Sequence, residues 1–439
     1  MSMLNKLARY KEAIQRTEFT RRIGSVSQFF GLVVEANGPD VFLGEVCHIY
    51  SKGVANPVHA EVVGLKAGKV LLMPYGELKG ISLGSEVIAT GLPLEISVGT
   101  QLLGRVVDAF AKPIDGQGPM QCPDQIHLKN EPLNPLSRRK IDQVIETGIK
   151  AIDSFLTFGK GQRLGIFAGS GVGKSTLLGM TARNIKADIN VIAMIGERGR
   201  EVQEFIDKNL SIEAQKRTVV VVSTSDQPAL VRACAAYTAT AIAEYFREQG
   251  KNVMLIMDSI TRYAMAQREI GLAVGEPPTS RGYTPSVFAA LPKLIERCGA
   301  SAQGGSITAL YTVLVEGDDL NDPIADAVRG LLDGHIVLSR ELANHGHFPS
   351  IDILKSVSRL ITNLASPQEL STIRAAINLL SLYQKNKDLI EIGAYQKGSN
   401  AELDRAIAIQ DKLNQFLMQE IEDSFVRREA LQQLAMIIQ

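Results

Sequence analysis

Gly169-Ser170-Gly171-Val172-Gly173-Lys174-Ser175-Thr176 crowds glycines, a lysine and hydroxyls into one short run. Glycines let the backbone curl so that successive N–H groups face a single anion, and a helix start adds its positive dipole end. Lys174 at this spacing reaches the β- and γ-phosphates of a nucleotide, and the Ser175 hydroxyl ligates Mg²⁺. The run follows Leu164-Gly165-Ile166-Phe167-Ala168, which reads as a short buried strand, and leads into the helix-compatible Leu177-Leu178-Gly179. Strand, glycine turn and helix start are the setting that a phosphate-binding loop requires. The usual first glycine is Ala168 here, which the loop tolerates provided φ at 168 is negative. A plain turn between strand and helix would not demand Lys174-Ser175 directly after Gly173. The sequence reads as nucleotide-binding.

Two carboxylates stand out after the loop. Asn252-Val253-Met254-Leu255-Ile256-Met257-Asp258 is an apolar strand ending in an acid. Such a strand is expected beside the loop's own strand, with Asp258 holding Mg²⁺ through water. Gly196-Glu197-Arg198-Gly199-Arg200-Glu201 follows the next strand, where a carboxylate can orient or deprotonate a water for attack on the γ-phosphate. The same charged run also fits a solvated loop. His345-Gly346-His347 has no third ligand nearby, Asp318-Asp319 suits an exposed loop, and Gln267-Arg268-Glu269 suits the polar face of a helix.

The elements that must position these groups divide the chain. Its 439 residues allow two or three domains. With 47 basic and 47 acidic residues the formal charge is zero, so no bulk field recruits nucleic acid or an anionic membrane. Cys47, Cys122, Cys234 and Cys298 lie far apart without ligand spacing, which points to an intracellular chain lacking disulfides and structural zinc. No run approaches ~18 consecutive apolar residues and the N-terminus has no signal-like core, so a soluble, cytoplasmic chain is expected.

Residues 1–22 form an amphipathic, mostly basic arm, with Leu4, Leu7 and Ile14 at helical spacing among Lys6, Arg9, Lys11 and Arg16. It suits a partner-docking helix or the outer layer of the first domain, and less well a membrane-surface helix. Over 23–95, short apolar runs alternate with turns such as Asn37-Gly38-Pro39, the pattern of a small β-barrel. Residues 96–365 alternate strands and helices, a mostly parallel α/β sheet entered through a proline-rich linker over 110–140. Strands are expected at 163–168, 190–195, 218–223, 252–258 and 306–315. Ser366-Pro367-Gln368-Glu369 is a capping box that opens a helical domain over 366–439, with a second helix start at Ser399-Asn400-Ala401-Glu402.

The loop, Gly196–Glu201, Met257-Asp258-Ser259-Ile260-Thr261-Arg262 and Gly282-Tyr283-Thr284-Pro285-Ser286-Val287-Phe288 together resemble the type III export ATPases. These are relatives of the catalytic subunit of F-type ATP synthases. The likeness spans nearly the whole chain and leans toward the flagellar branch, through the loop itself and Ile392-Gly393-Ala394-Tyr395. It implies a RecA-like ATPase core in which Glu197 activates water, Arg198 meets the γ-phosphate and Glu201 lies near Mg²⁺. It further implies that Arg359 is an arginine finger given to the neighbouring subunit, that Phe348 stacks on adenine, and that Tyr395 closes the other side of that pocket.

The partners implied by the resemblance are further copies in a homohexamer, a stator-like regulator on the N-terminal arm and a stalk-like protein in the ring. Export substrates, their chaperones and a membrane export gate complete the set, with only peripheral membrane association and no nucleic acid. Rival readings are an injectisome ATPase, a proton-coupled synthase subunit, and a non-hydrolytic structural subunit, against which Glu197 argues. An RNA translocase finds no support in the charge balance.

Overall fold

The computed structural model describes residues 21–51, 56–315, 317, 319 and 321–438; the arm over 1–22 lies outside them except for Arg21 and Arg22. Six strands, β1 (Ile23–Phe30), β2 (Val33–Asn37), β3 (Glu45–Tyr50), β4 (Val58–Lys66), β5 (Lys69–Pro74) and β6 (Glu86–Pro93), close into a barrel in the order β1-β2-β5-β4-β3-β6. Alternation does the sorting: Val34 and Ala36, Ala60 and Val62, Val70 and Leu72 point into one apolar core. Their neighbours Glu35 and Lys69 pair outside it at 3.5 Å.

The chain then passes through β7 (Glu95–Val98), β8 (Val106–Val107), β9 (Asp124–His127), β10 (Val144–Ile145) and β11 (Phe158–Gly159). β8 joins the edge of the large sheet, and β9, inside the proline-rich stretch, pairs with β7. The large sheet is completed by β12 (Arg163–Ala168), β13 (Ile189–Glu197), β14 (Thr218–Thr224), β15 (Asn252–Asp258), β16 (Gly299–Ala300), β17 (Ser306–Leu314), β18 (Gly334–Leu338) and β19 (Ile351–Ser358). Its order is β19-β18-β12-β17-β15-β13-β14-β8, with β16 beside β17. All pairs are parallel except β18–β19 and β16–β17. The expected strands are present, and β13, β15 and β17 are mostly apolar and buried along nearly their whole length, as a sheet covered on both faces requires.

One expectation needs correction. β15 does not lie beside the loop's strand β12, because β17 is inserted between them, pairing with both. The insertion follows from β17's length of nine residues, eight of them buried, which offers a full ladder on each side.

Beyond the sheet, Ser366 opens the helix Pro367–Glu391 with the capping box read from sequence, and Asn400 caps Ala401–Leu417. Ile373, Leu413 and Leu434 from these helices and Arg427–Ile438 join the same apolar cluster as Ile152 and Phe155. Burying each such side chain contributes about 1.5–3 kcal/mol. The C-terminal helices therefore share a core with the α/β sheet that carries the loop.

Candidate nucleotide site

The parallel strands end together, and the loop starts where β12 ends. Ala168 is extended as the last residue of that strand, so the missing glycine costs nothing. Gly171 and Gly173 carry φ of +77° and +88°, the left-handed region that a side chain would oppose. The helix Lys174–Asn184 begins directly after Gly173, with no side-chain cap and no acid in its first turn. A helix N-terminus flanked by lysine and serine but left uncapped is built for an anion. Ser175 and Thr176 lie in this first turn, Ser175 exposed. Gly169 is buried, Ser170 is exposed with its carbonyl accepting from Arg340 at 3.3 Å, and the Val172 carbonyl accepts from the Ser350 hydroxyl at 2.6 Å.

Across the mouth of the loop, Lys174 Nζ donates to Asp258 Oδ1 at 2.5 Å and lies 3.5 Å from Glu197 Oε1. All three side chains are at most 13 % exposed. Burial alone would push the lysine toward neutrality, but the two carboxylates reverse this and hold its pKa above the ordinary value. Asp258 receives a further hydrogen bond, 2.7 Å from the Thr312 hydroxyl on the inserted β17.

Glu197 is aimed by its own backbone. The register of β13 against β14 slips between Ile195 and Glu197, and Gly196 at the slip has φ of +68°. Such a bulge turns the next side chain off the pleat and into the site. Burial, the Asp258 charge and a hydrogen bond with Glu201 lift the Glu197 carboxyl to about 7, against the pull of Lys174 and Arg262. Arg262 packs against Gly196, 3.2 Å from where a Cβ there would stand, and its Nε is buried without a hydrogen-bond partner. A half-buried cation with a buried, unused donor suits an incoming phosphate. The sequence carries a partial signal for Arg262, an arginine four residues after Asp258, and none for Thr312.

Three regions of the chain match known domains. Residues 26–91 match the β-barrel domain of the ATP synthase alpha/beta family, 148–358 its nucleotide-binding domain, and 365–436 the T3SS EscN ATPase C-terminal domain. The chain is 55 % identical over 421 residues to the flagellum-specific ATP synthase of Bacillus subtilis, covering 96 % of both. It is 48 % identical over 399 residues to the type 3 secretion system ATPase of Xanthomonas euvesicatoria, covering 91 % of this chain and 90 % of the relative. The chain belongs to the type III export ATPases. Among solved structures, the assembled ATPase EscN of an enteropathogenic E. coli secretion system superposes with a TM-score of 0.90 at 45 % identity, covering 95 % of this chain and all of that one. The same ATPase in complex with its central stalk EscO gives 0.87 at 44 %, with the same coverage.

As a type III export ATPase the chain is an ATP hydrolase, and its structure sorts the residues read from sequence into two groups. Lys174, Glu197 and Asp258 meet in one buried cluster. Glu201, in the first turn of Gly199–Asn209, reaches Glu197 from its rim. Arg198 is 78 % exposed at the mouth and lies 3.9 Å from Glu201. Phe348, 44 % exposed, brings its ring to 3.4 Å from a Cβ built at Gly173.

Two residues lie elsewhere. The Tyr395 hydroxyl is held 3.0 Å from both the Asn400 carbonyl and Asp404, inside the turn between two C-terminal helices. Arg359 follows Ser358, which pairs with Gly334, so it sits at the amino edge of the sheet, opposite the loop. Its N–H donates to the Asp333 carbonyl and its guanidinium to the Arg329 carbonyl at 3.1 Å. At about 3.3 Å per residue, β12 alone separates it from the loop by about 20 Å. Among the described residues no group of three or more His, Cys, Asp or Glu side chains gathers around a metal position, and no helix is long and apolar enough to cross a membrane. His347 is buried with its Nε2 unpartnered, and its pKa is lowered by burial.

Proposed function

We propose that this chain powers a bacterial flagellar export apparatus as a homohexamer, hydrolysing ATP to engage or unfold export substrates and release their chaperones. The observation that carries the reading is the buried Lys174–Glu197–Asp258 cluster facing an uncapped, glycine-rich helix start. Residues Gly169 to Thr176 cradle the phosphates, with Lys174 leaving its carboxylates for the β- and γ-oxygens. Ser175, Asp258 and Glu201 fit Mg²⁺, which takes one or two carboxylates plus phosphate and water oxygens rather than a protein cage. When bound, the ion neutralises charge between the terminal phosphates.

Glu197 accepts the proton of the attacking water, and its pKa near neutrality suits that transfer. Arg198, at the mouth, swings to the γ-phosphate. Phe348 supplies an exposed ring against the loop for adenine, and Tyr395 closes the other side once the C-terminal turn moves. Arg359 cannot serve its own chain's loop across the sheet, so it acts in the site of a neighbouring copy. The exported cargo, a stalk-like partner in the ring, a regulator on the arm over 1–22, and peripheral docking at the membrane gate complete the proposal; the EscN–EscO complex supports the stalk.

Mixing variants tests the shared site. Arg359→Ala and Glu197→Gln should each bind ATP and each lose roughly 10³-fold or more in turnover, the range seen for such arginines. Mixed rings should regain activity, because some interfaces then pair an intact Glu197 with an intact Arg359. No regain at any mixing ratio would place Arg359 outside catalysis. The injectisome reading keeps support from the EscN likeness. Restored swimming on expression in a flagellated strain lacking its own export ATPase decides for the flagellar role, and secretion without swimming decides against it.

A further inference from the structure

The turn between the last two helices is fastened at Gln419, by its side chain to residues 148–150 and by its backbone to Phe348. Gln419 is 7 % exposed and spends its whole amide on backbone. Its Oε1 accepts from Lys150 N at 2.9 Å, while Nε2 donates to the Gly148 and Asp423 carbonyls, each at 2.9 Å. Its own backbone N–H donates to the carbonyl of Phe348 at 3.0 Å. The neighbouring residues reinforce the attachment. Phe425 N–H also donates to Gly148, and the Lys150 ammonium lies over the rings of Phe416 and Phe425 at 5.5 and 4.6 Å. Asn184, at the end of the loop's helix, donates to the Asp423 carbonyl at 3.2 Å. Gly148 is pressed so closely that a Cβ there would stand 2.6 Å from the Ser424 hydroxyl.

We infer that Gln419 is a positioning residue for the base pocket, clamping the C-terminal turn to residues 148–150 so that its N–H fixes the backbone of Phe348. The chemistry of the amide matters. Leucine would leave the buried Lys150 N–H unpaired and strip one donor each from the Gly148 and Asp423 carbonyls, and glutamate would aim a carboxylate at those two carbonyls. Either change loosens the turn that holds the backbone N–H of residue 419 against the Phe348 carbonyl, without touching the loop, Lys174, Glu197 or Asp258. The ring of Phe348 then loses its fixed place against Gly173, and base affinity falls while phosphate chemistry stays intact.

The inference rests on Phe348 meeting the base, and the test separates the two. Steady-state hydrolysis is measured with ATP and with ribose 5-triphosphate, which carries the phosphates but no base. Gln419→Leu and Gln419→Glu should each raise KM for ATP about tenfold, with kcat and the KM for ribose 5-triphosphate nearly unchanged. Phe348→Ala should do the same. If Phe348→Ala leaves KM for ATP unchanged, the base-site reading fails. If it raises KM and the Gln419 variants do not, or if they damage both substrates equally, the positioning role is overturned. Wild-type chain supplies a check independent of variant folding. Amide hydrogen exchange in 417–426 should slow several-fold when ATP binds and less with ribose 5-triphosphate; equal slowing with both ligands contradicts the inference.

Discussion

The two edges of the large sheet carry similar charges arranged to opposite ends. At the carboxyl edge one lysine lies between two acids, 2.5 Å from Asp258 and 3.5 Å from Glu197. At the amino edge one arginine also lies between two acids: Arg163 is 2.5 Å from Glu296, and its Nε and terminal nitrogen donate to Asp333 at 3.1 and 3.2 Å. The Asp333 carboxylate also takes the backbone N–H of Arg163 at 3.0 Å. The planar fork of arginine is consumed by this geometry, which ties β12 to the residue before β18. The ammonium of Lys174 is a point charge on a flexible stem and can change partners. The backbone differs in the same sense, since an uncapped helix start stands at Lys174 and the first residue of a paired strand at Arg163. An ion cluster becomes a site when its cation can leave and its acids do not want their charge. Glu197, lifted to about 7, meets the second condition.

The largest effect that would break the comparison comes from Lys174→Ala. If the lysine is the exchangeable cation, its loss removes a charge-assisted contact to the phosphates and leaves Asp258 and Glu197 repelling the anion. ATP binding measured by calorimetry should become undetectable and turnover should vanish. Near-normal affinity would mean that the carboxyl edge is as structural as the amino edge.

Much of this contrast was legible in the residues. The loop, Asp258, Glu197 and the strands that carry them follow from glycine spacing and unbroken apolar runs. The capping box at Ser366 and the N-cap at Asn400 follow from local hydrogen-bond chemistry. What the sequence hid was pairing across long separations. That β17 enters between β12 and β15, and so delivers Thr312 to Asp258, depends on which apolar runs hydrogen-bond to which, and periodicity carries no such information. The aim of Glu197 depends on a bulge at Gly196, and one glycine in a strand does not announce its register. Gln419 was invisible for the same reason: its partners at Gly148, Lys150 and Phe348 are far off in the chain.

A smaller effect sharpens the comparison through pH. Glu197 in the folded, nucleotide-free chain has a pKa raised from 4.5 to about 7. The folded state therefore holds its proton more tightly than the unfolded chain. Stability linked to this group is present below pH ~4.5 and is lost as pH rises toward and through about 7. Glu197→Gln, which cannot ionise, should escape that loss and melt a few degrees higher than wild type at pH 8 and much the same as wild type at pH 5. Parallel melting curves for the two proteins across that range would show that Glu197 has no raised pKa.

The smallest effect belongs to the amino edge and completes the contrast. Asp333→Asn keeps the size and one acceptor oxygen but turns an amide N–H₂ toward the Arg163 fork, where a carboxylate oxygen accepted before. Arg163 then keeps Glu296, so its charge is not stranded, and the loss is that of a partly buried, charge-assisted bidentate contact of about 1–2 kcal/mol. In a chain of 439 residues that lowers Tm by roughly 1–3 °C. The Asp333 carbonyl still accepts from Arg359 N–H and from Gln162, so the finger segment keeps its backbone anchor. Because β12 must carry any disturbance along its whole length before it reaches Gly169, KM for ATP should stay within about twofold of wild type. A variant that melts normally but loses ATP affinity would reverse the roles assigned to the two edges. Lower Tm with unchanged KM, set beside the loss of all binding in Lys174→Ala, is the outcome expected when only the carboxyl edge holds a cation free to leave.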